Sequence, residues 1–74
     1  MKQQPTTGLD FKLQEMAQRI RDLREIVGLT AGDMARLTGV PLEEYLLCEA
    51  GESDLNFAFI YRCAQAFGVD VTDI

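Results

Sequence analysis

The apolar residues of this chain recur every three or four positions, in segments that end at single glycines. This pattern indicates that the chain folds into helices. In the first segment the recurring residues are Leu9, Leu13, Met16, Ile20, Leu23 and Val27. This spacing places them on one face of a helix, and Gly28 can end that helix because glycine accepts a left-handed backbone. No segment of the sequence shows the sustained alternation that indicates a strand. The sequence therefore predicts an all-α protein.

Capping residues divide the chain into four helices and the start of a fifth. The helices are predicted at residues 9 or 10 to 27, 31–38, 42–50 and 57–67, with a fifth beginning at 69–72, after a flexible N-terminal arm at 1–8. Thr30, with Asp33 three residues on, is expected to cap the second helix, and Asn56 is expected to cap the fourth. Pro41 suits the first position of the third helix.

Two of these helices have a clear apolar face. Met34 and Leu37 are expected to face inward from the second helix. The inward face of the fourth helix is predicted to comprise Phe57, Ile60, Cys63, Ala64 and Phe67. Packing of these faces on the first helix would form the core of a single small domain.

Composition excludes several functional classes. The 74 residues include 12 acidic and 7 basic side chains and no histidine, for a net charge of −5. Without histidine the usual proton carrier near neutral pH is missing, and Ser53 has no base nearby in sequence, so the chain is not expected to be an enzyme. Cys48 and Cys63 lie in apolar surroundings, far from a C-x-x-C spacing, and are expected to be free thiols of a cytoplasmic protein, with a disulfide as the alternative. No metal or cofactor is predicted, and no stretch of the sequence is long and apolar enough for a spanning helix.

Five short motifs occur in a fixed order along most of the chain. They are Ile20-x-x-Leu23-Arg24, Gly28-Leu29-Thr30, Met34-Ala35-x-x-Thr38-Gly39-Val40, Tyr45-x-x-Cys48-Glu49-x-Gly51 and Ala64-x-x-Phe67-Gly68-Val69. Together they resemble the Cro/cI-type, lambda-repressor-like (XRE) helix-turn-helix family over residues 19–74. The resemblance implies a compact bundle of four to five short helices, with the helix-turn-helix unit at about residues 30–51. It also implies the DNA-binding domain of a bacterial transcriptional regulator, a homodimer whose partner is double-stranded DNA.

The resemblance assigns roles to individual residues of the unit. Val40, Tyr45 and Cys48 would seat the third helix on the core. The third helix of family members lies in the major groove, and the positions that match DNA contacts here are Thr30, Ala31, Arg36, Pro41, Leu42, Glu43, Glu44 and Leu47. Most of these side chains cannot donate a hydrogen bond, whereas phosphate and guanine edges accept hydrogen bonds. Residues 30–74 carry two basic and eight acidic side chains, a net −6. DNA binding is therefore expected to be weak or lost.

A second function is compatible with the same sequence. Leu42, Leu46 and Leu47 would form a protein-contact patch if the third helix exposes them, and one or two of them could instead enter the core. The first helix is about two turns longer than the family needs. The alternative is a protein-interaction or dimerisation module that retains the helix-turn-helix fold without binding DNA.

Two finer features are implied by resemblance. Arg24 and Glu49 match a salt bridge that ties the first and third helices together in relatives, and replacing either by alanine is expected to cost about 1–3 kcal/mol. A further resemblance, to N-terminal domains joined to a small-molecule-sensing cupin barrel, rests on three runs: Glu44-Tyr45-Leu46 to Gly51-Glu52, Phe57-Ala58-Phe59 and Phe67-Gly68-Val69-Asp70-Val71-Thr72. Residues 9–74 are therefore expected to be a domain excised from a longer chain that has a C-terminal cupin sensor domain.

Overall fold

The computed structural model describes residues 8–74, which form four α-helices and a short 3₁₀ helix. The elements are α1 (Gly8–Val27), α2 (Ala31–Thr38), α3 (Leu42–Glu49), α4 (Phe57–Phe67) and the 3₁₀ helix (Val71–Asp73). Within these residues there is no strand, so the predicted all-α class is confirmed. The predicted arm lies outside the described residues except for Gly8, with which α1 begins.

The helix ends follow local hydrogen bonds. The Thr30 Oγ1 atom accepts the Asp33 N–H, and the Asp33 carboxylate accepts the Thr30 N–H, both at 3.0 Å. The Asn56 side chain accepts the Phe59 N–H at 2.9 Å. These two predicted caps are confirmed. Pro41 is different, because its ψ of 151° keeps it extended. It precedes α3 rather than starting it, and the helix ends at Glu49 rather than residue 50.

The core lies where all four helices meet. α2 packs against α3 and α4, α1 crosses both of them, and the 3₁₀ helix covers α4. The buried side chains at this junction are Ile20, Met34, Ala35, Tyr45, Cys48, Phe59, Ile60, Cys63, Ala64, Phe67 and Ile74. Cys48 and Cys63 are both free and buried, as expected. Within residues 8–74, none of the helices has the length and apolar character needed to cross a bilayer.

Two predicted inward residues are exposed instead. Leu37 points about 100° away from the middle of the buried face that Met34, Ala35 and Thr38 define on α2, and half of its surface is open to solvent. Phe57 is 68% exposed at the first position of α4. The core side chain of that turn is Phe59, because Ile60, Cys63 and Phe67 set the inward direction of the helix. In each case the direction of the buried helix face, rather than hydrophobicity alone, decides which side chain is covered.

Candidate nucleic-acid interface

A three-residue turn joins α2 to α3. Gly39 has a φ of 77°, a left-handed conformation that favours glycine. The N–H groups of Gly39 and Val40 both donate to the Ala35 carbonyl, at 2.9 and 3.2 Å. The Thr38 carbonyl, left over at the end of α2, accepts from Arg62 Nη1 at 3.2 Å. These bonds hold the turn in one conformation, so α3 leaves α2 at a defined angle.

A buried ion-pair network holds α3 against α1. Arg24 donates to Glu49 through Nε at 2.7 Å and through Nη2 at 3.1 Å. Its Nη1 donates to the Leu29 carbonyl at 3.0 Å, which ties the loop before α2 to the same group. The structure thus brings Arg24 and Glu49 together, and the side chains are only 16% and 10% exposed. The bond to Glu49 raises the pKa of Arg24, which therefore stays charged.

Tyr45 adds a third member to this network. Its ring is fully buried and packs at a tilt against Phe59, with ring centres 6.0 Å apart. Its hydroxyl donates to the Glu49 carboxylate. Burial, followed by this bond to the Glu49 carboxylate, raises the pKa of Tyr45, so the hydroxyl keeps its proton at neutral pH. Because Tyr45 and Cys48 both point into the core, the rotation of α3 about its own axis is determined.

That rotation decides what α3 presents to solvent. Its outward residues are Leu42, Glu43, Leu46 and Leu47, and Ala50 is exposed just after its end. Leu42, Leu46 and Leu47 are 47%, 47% and 43% exposed, so none of the three enters the core. The set Leu42, Glu43, Leu46 and Leu47 is called the leucine face below. Glu43 is its only charged member and can only accept hydrogen bonds.

Glu44, the other predicted contact at this end of α3, does not belong to the leucine face. It is partly buried, and its carboxylate accepts from Ser53 Oγ at 2.9 Å. Cys48 Sγ lies 3.9 Å from the same carboxylate, and burial raises the pKa of this thiol. Glu44 therefore supports the loop after α3. Pro41 is exposed at the beginning of the helix.

The other predicted contacts belong to α2, with Thr30 and Ala31 at its beginning and Arg36 in its last turn. The Thr30 hydroxyl is engaged with the Asp33 N–H, and Ala31 is partly buried. The hydrogen bond from the Thr30 backbone, and then that from Arg36, lower the pKa of Asp33. Arg36 Nη2 lies 2.9 Å from the Asp33 carboxylate. The Asp33 carboxylate therefore places a negative charge at the amide end of α2, which disfavours a phosphate there.

Three supporting residues have no signal in the local sequence. Gln14 Nε2 donates to the Gly51 carbonyl at 3.0 Å and links the early part of α1 to the end of α3. Arg62 supports the turn between α2 and α3, as described above. Arg19 Nη1 donates to the Ile74 carbonyl at 2.8 Å. Their partners are 24 to 55 residues distant in sequence. Among the described residues, no group of three or more Cys, Asp or Glu side chains is placed to hold a metal ion.

Two short helices joined by a glycine turn, with the outer face of the second one open to solvent, define a helix-turn-helix protein. A family model described as a helix-turn-helix domain matches residues 15–74, and the chain belongs to that family. The fold is similar to the solved structure of the restriction-modification controller protein C.AhdI from Aeromonas hydrophila. The TM-score is 0.79 and the sequence identity 25%, covering 85% of this chain and 96% of that chain. No curated protein matches the sequence.

Proposed function

We propose that the chain is the DNA-binding domain of a bacterial transcriptional regulator, with α3 as the helix that enters the major groove. The observation that supports this most directly is the outward face of α3. This face is open to solvent. The Arg24–Glu49 pair holds α3 in place against α1. The similarity to a restriction-modification controller protein supports a regulatory role. The domain would thus present α3 to the duplex without rearrangement.

The charges of the unit indicate weak binding to the phosphate backbone. Arg36 is the only cation on α2 and α3, and it is paired with Asp33. Because few phosphates would be neutralised, affinity should depend only weakly on salt concentration. Base readout by the leucine face would come from contact with thymine methyl groups, and Glu43 could accept only from a cytosine amino group.

Selection from random duplexes tests this proposal. Bound sequences would be enriched at about 50 mM salt and then compared with their scrambled versions by gel shift at about 50 and 200 mM salt. Glu43→Gln removes the charge at the centre of the leucine face and should strengthen binding by about 2- to 5-fold. Asp22→Asn removes one charge from exposed α1 and serves as the matched control. If neither wild type nor Glu43→Gln distinguishes any enriched duplex from its scrambled version, the proposal is wrong.

We further propose that the domain binds DNA as a homodimer, since helix-turn-helix dimers contact two half-sites. Phe57 and Tyr61 support this, because their stacked rings, 6.1 Å apart, lie exposed on the outside of α4. Two copies of this uncharged pair could pack together without opposing like charges. Sedimentation should then show a dimer that Tyr61→Gln weakens and that Ile26→Gln, an exposed change on α1, leaves intact.

The exposed leucines favour a second candidate function. A protein-interaction module that retains the fold without binding DNA would use Leu42, Leu46 and Leu47 as its contact patch. Failure of duplex binding in the selection above would favour this function. The cytoplasmic location, the lack of enzymatic activity and a C-terminal cupin sensor domain stay predictions, and the gene sequence beyond residue 74 tests the last of these.

A further inference from the structure

The leucine face has the composition of a protein-contact surface. Leu42 and Leu46 lie one turn apart on α3, and Leu47 lies beside Leu46. Each of these side chains has close to half of its surface open to solvent. Single exposed leucines are ordinary, but a cluster on one helix face is typical of an interaction site. Ala50 extends the apolar surface beyond the last turn of the helix.

The charges around this face determine which partners it can accept. Glu43 lies among the leucines, and Glu52 and Asp54 are exposed just after α3. Arg36 pairs with Asp33 on α2, and Arg62 is bound to the Thr38 carbonyl at the turn before α3. The surface is therefore apolar and carries one carboxylate, Glu43, with further acidic side chains in the loop that follows α3. A second copy of this chain packed on the same face would bring its Glu43 close to this Glu43, which makes self-association here unfavourable.

We propose that the leucine face docks a basic amphipathic helix of a partner protein. Apolar side chains of that helix, spaced as i, i+3 or i+4 and i+7, would pack among Leu42, Leu46 and Leu47. A lysine or arginine of the partner would pair with Glu43. Because α3 has eight residues, it is about 12 Å long. The contact then spans about two turns and should be weak, with a Kd of roughly 10–100 µM. The function proposed above places the same leucine face in the major groove, so a docked helix and a duplex would compete for it.

A peptide titration monitored by NMR tests the proposal. The probe is a synthetic helical peptide with leucines on one face and lysines on its flanks, titrated into the isotope-labelled chain. Binding of the peptide should change the NMR chemical shifts of α3 residues, with the largest changes at the leucine face. Leu46→Gln and Leu47→Gln should each weaken binding by about 10-fold, as loss of a central apolar contact does. Ile26→Gln, an equally apolar-to-polar change on exposed α1, should leave the affinity unchanged.

Charge is tested with a second peptide and a second variant. A peptide with glutamates in place of the lysines should bind at least about 5-fold more weakly. Glu43→Lys should reverse that preference, a result that mere destabilisation of the domain would not produce. Equal binding of the two peptides, shift changes on another surface, or unaltered affinity of the Leu46→Gln and Leu47→Gln variants would overturn the proposal. The gel shift with DNA is a separate measurement, so either proposal can fail alone.

Discussion

Replacing Arg24 with alanine should destabilise the domain far more than the same change at Arg21. Both arginines lie on α1 and both pair with a glutamate. The Arg21–Glu25 pair is 3.7 Å apart with side chains 55% and 59% exposed, whereas Arg24 and Glu49 are largely shielded. Arg21→Ala therefore controls for the loss of an arginine from α1 and for the change in helix propensity.

The magnitude follows from the bonds that Arg24 makes. Its loss removes two hydrogen bonds to Glu49 and one to the Leu29 carbonyl. Hydrogen bonds to charged groups contribute about 1.5–3 kcal/mol each but are not additive. Breaking a fully buried pair costs about 3–5 kcal/mol. Because the Arg24–Glu49 pair is partly exposed, the cost should lie at the low end of this range. We therefore expect Arg24→Ala to lower the free energy of unfolding by about 3 kcal/mol. Arg21→Ala should cost about 0–0.5 kcal/mol, as exposed pairs do.

Thermal unfolding followed by circular dichroism measures the difference. In a domain of this size each kcal/mol lowers Tm by about 4–8 °C, so Arg24→Ala should lower Tm by about 12–24 °C. Glu49→Ala should do at least as much, because it also leaves the buried Tyr45 hydroxyl without its acceptor. In the double variant the two losses should be far from additive. If Arg24→Ala melts within about 4 °C of Arg21→Ala, the network does not stabilise the fold and the reasoning is refuted.

Three further predictions test other parts of the structure. Gly51→Ala should cost about 2 kcal/mol in thermal melts, because φ is 76° and a Cβ would lie 2.6 Å from Gln14 Nε2. Gly28 has a φ of 89° and open space around it, so Gly28→Ala should lower the free energy of unfolding by only about 1 kcal/mol. Equal losses of stability in the two variants would contradict the role of the Gln14 contact. Burial raises the pKa of Cys63 from 9.0 to about 12. Between pH 9.0 and about 12 the Cys63 thiol loses its proton in the unfolded chain and keeps it in the folded chain. The free energy of unfolding should therefore fall as pH rises through this range. Urea titrations at each pH would show this, and a Cys63→Ala variant with the same slope would rule out the thiol as the cause. Asn56→Ala, which removes the acceptor of the Phe59 N–H, should cost about 1 kcal/mol, and unaltered melting would show that the cap is not needed.

Local features of the helices could be predicted from the sequence because they depend on residues three or four apart. Thr30 and Asp33 form their capping box within one turn. α2 occupies the predicted residues 31–38 and α4 the predicted residues 57–67. The predicted start of α3 at Pro41 is wrong by one residue, because the extended ψ of Pro41 places it before the helix.

Contacts between helices required the tertiary structure. Gln14 contacts Gly51 across 37 residues and Arg62 contacts Thr38 across 24, and no periodicity connects either pair. The choice of Phe59 over Phe57 for the core likewise depends on how α4 packs. The Arg24–Glu49 pair was predicted only through family resemblance, since 25 residues separate the two side chains.

Glu43 and Glu44 at the start of α3 show which features follow from the sequence and which require the tertiary structure. The sequence by itself determined that acceptor-only carboxylates and leucines occupy the helix that matches the DNA-contacting one, and that residues 30–74 carry net negative charge. Only the tertiary structure distinguished Glu43 from Glu44. Burial of Tyr45 and Cys48 sets the rotation of α3, which leaves Glu43 exposed among the leucines and directs Glu44 to the Ser53 hydroxyl. Adjacent residues on a helix point about 100° apart, so packing on one side determines which of two neighbours meets a partner.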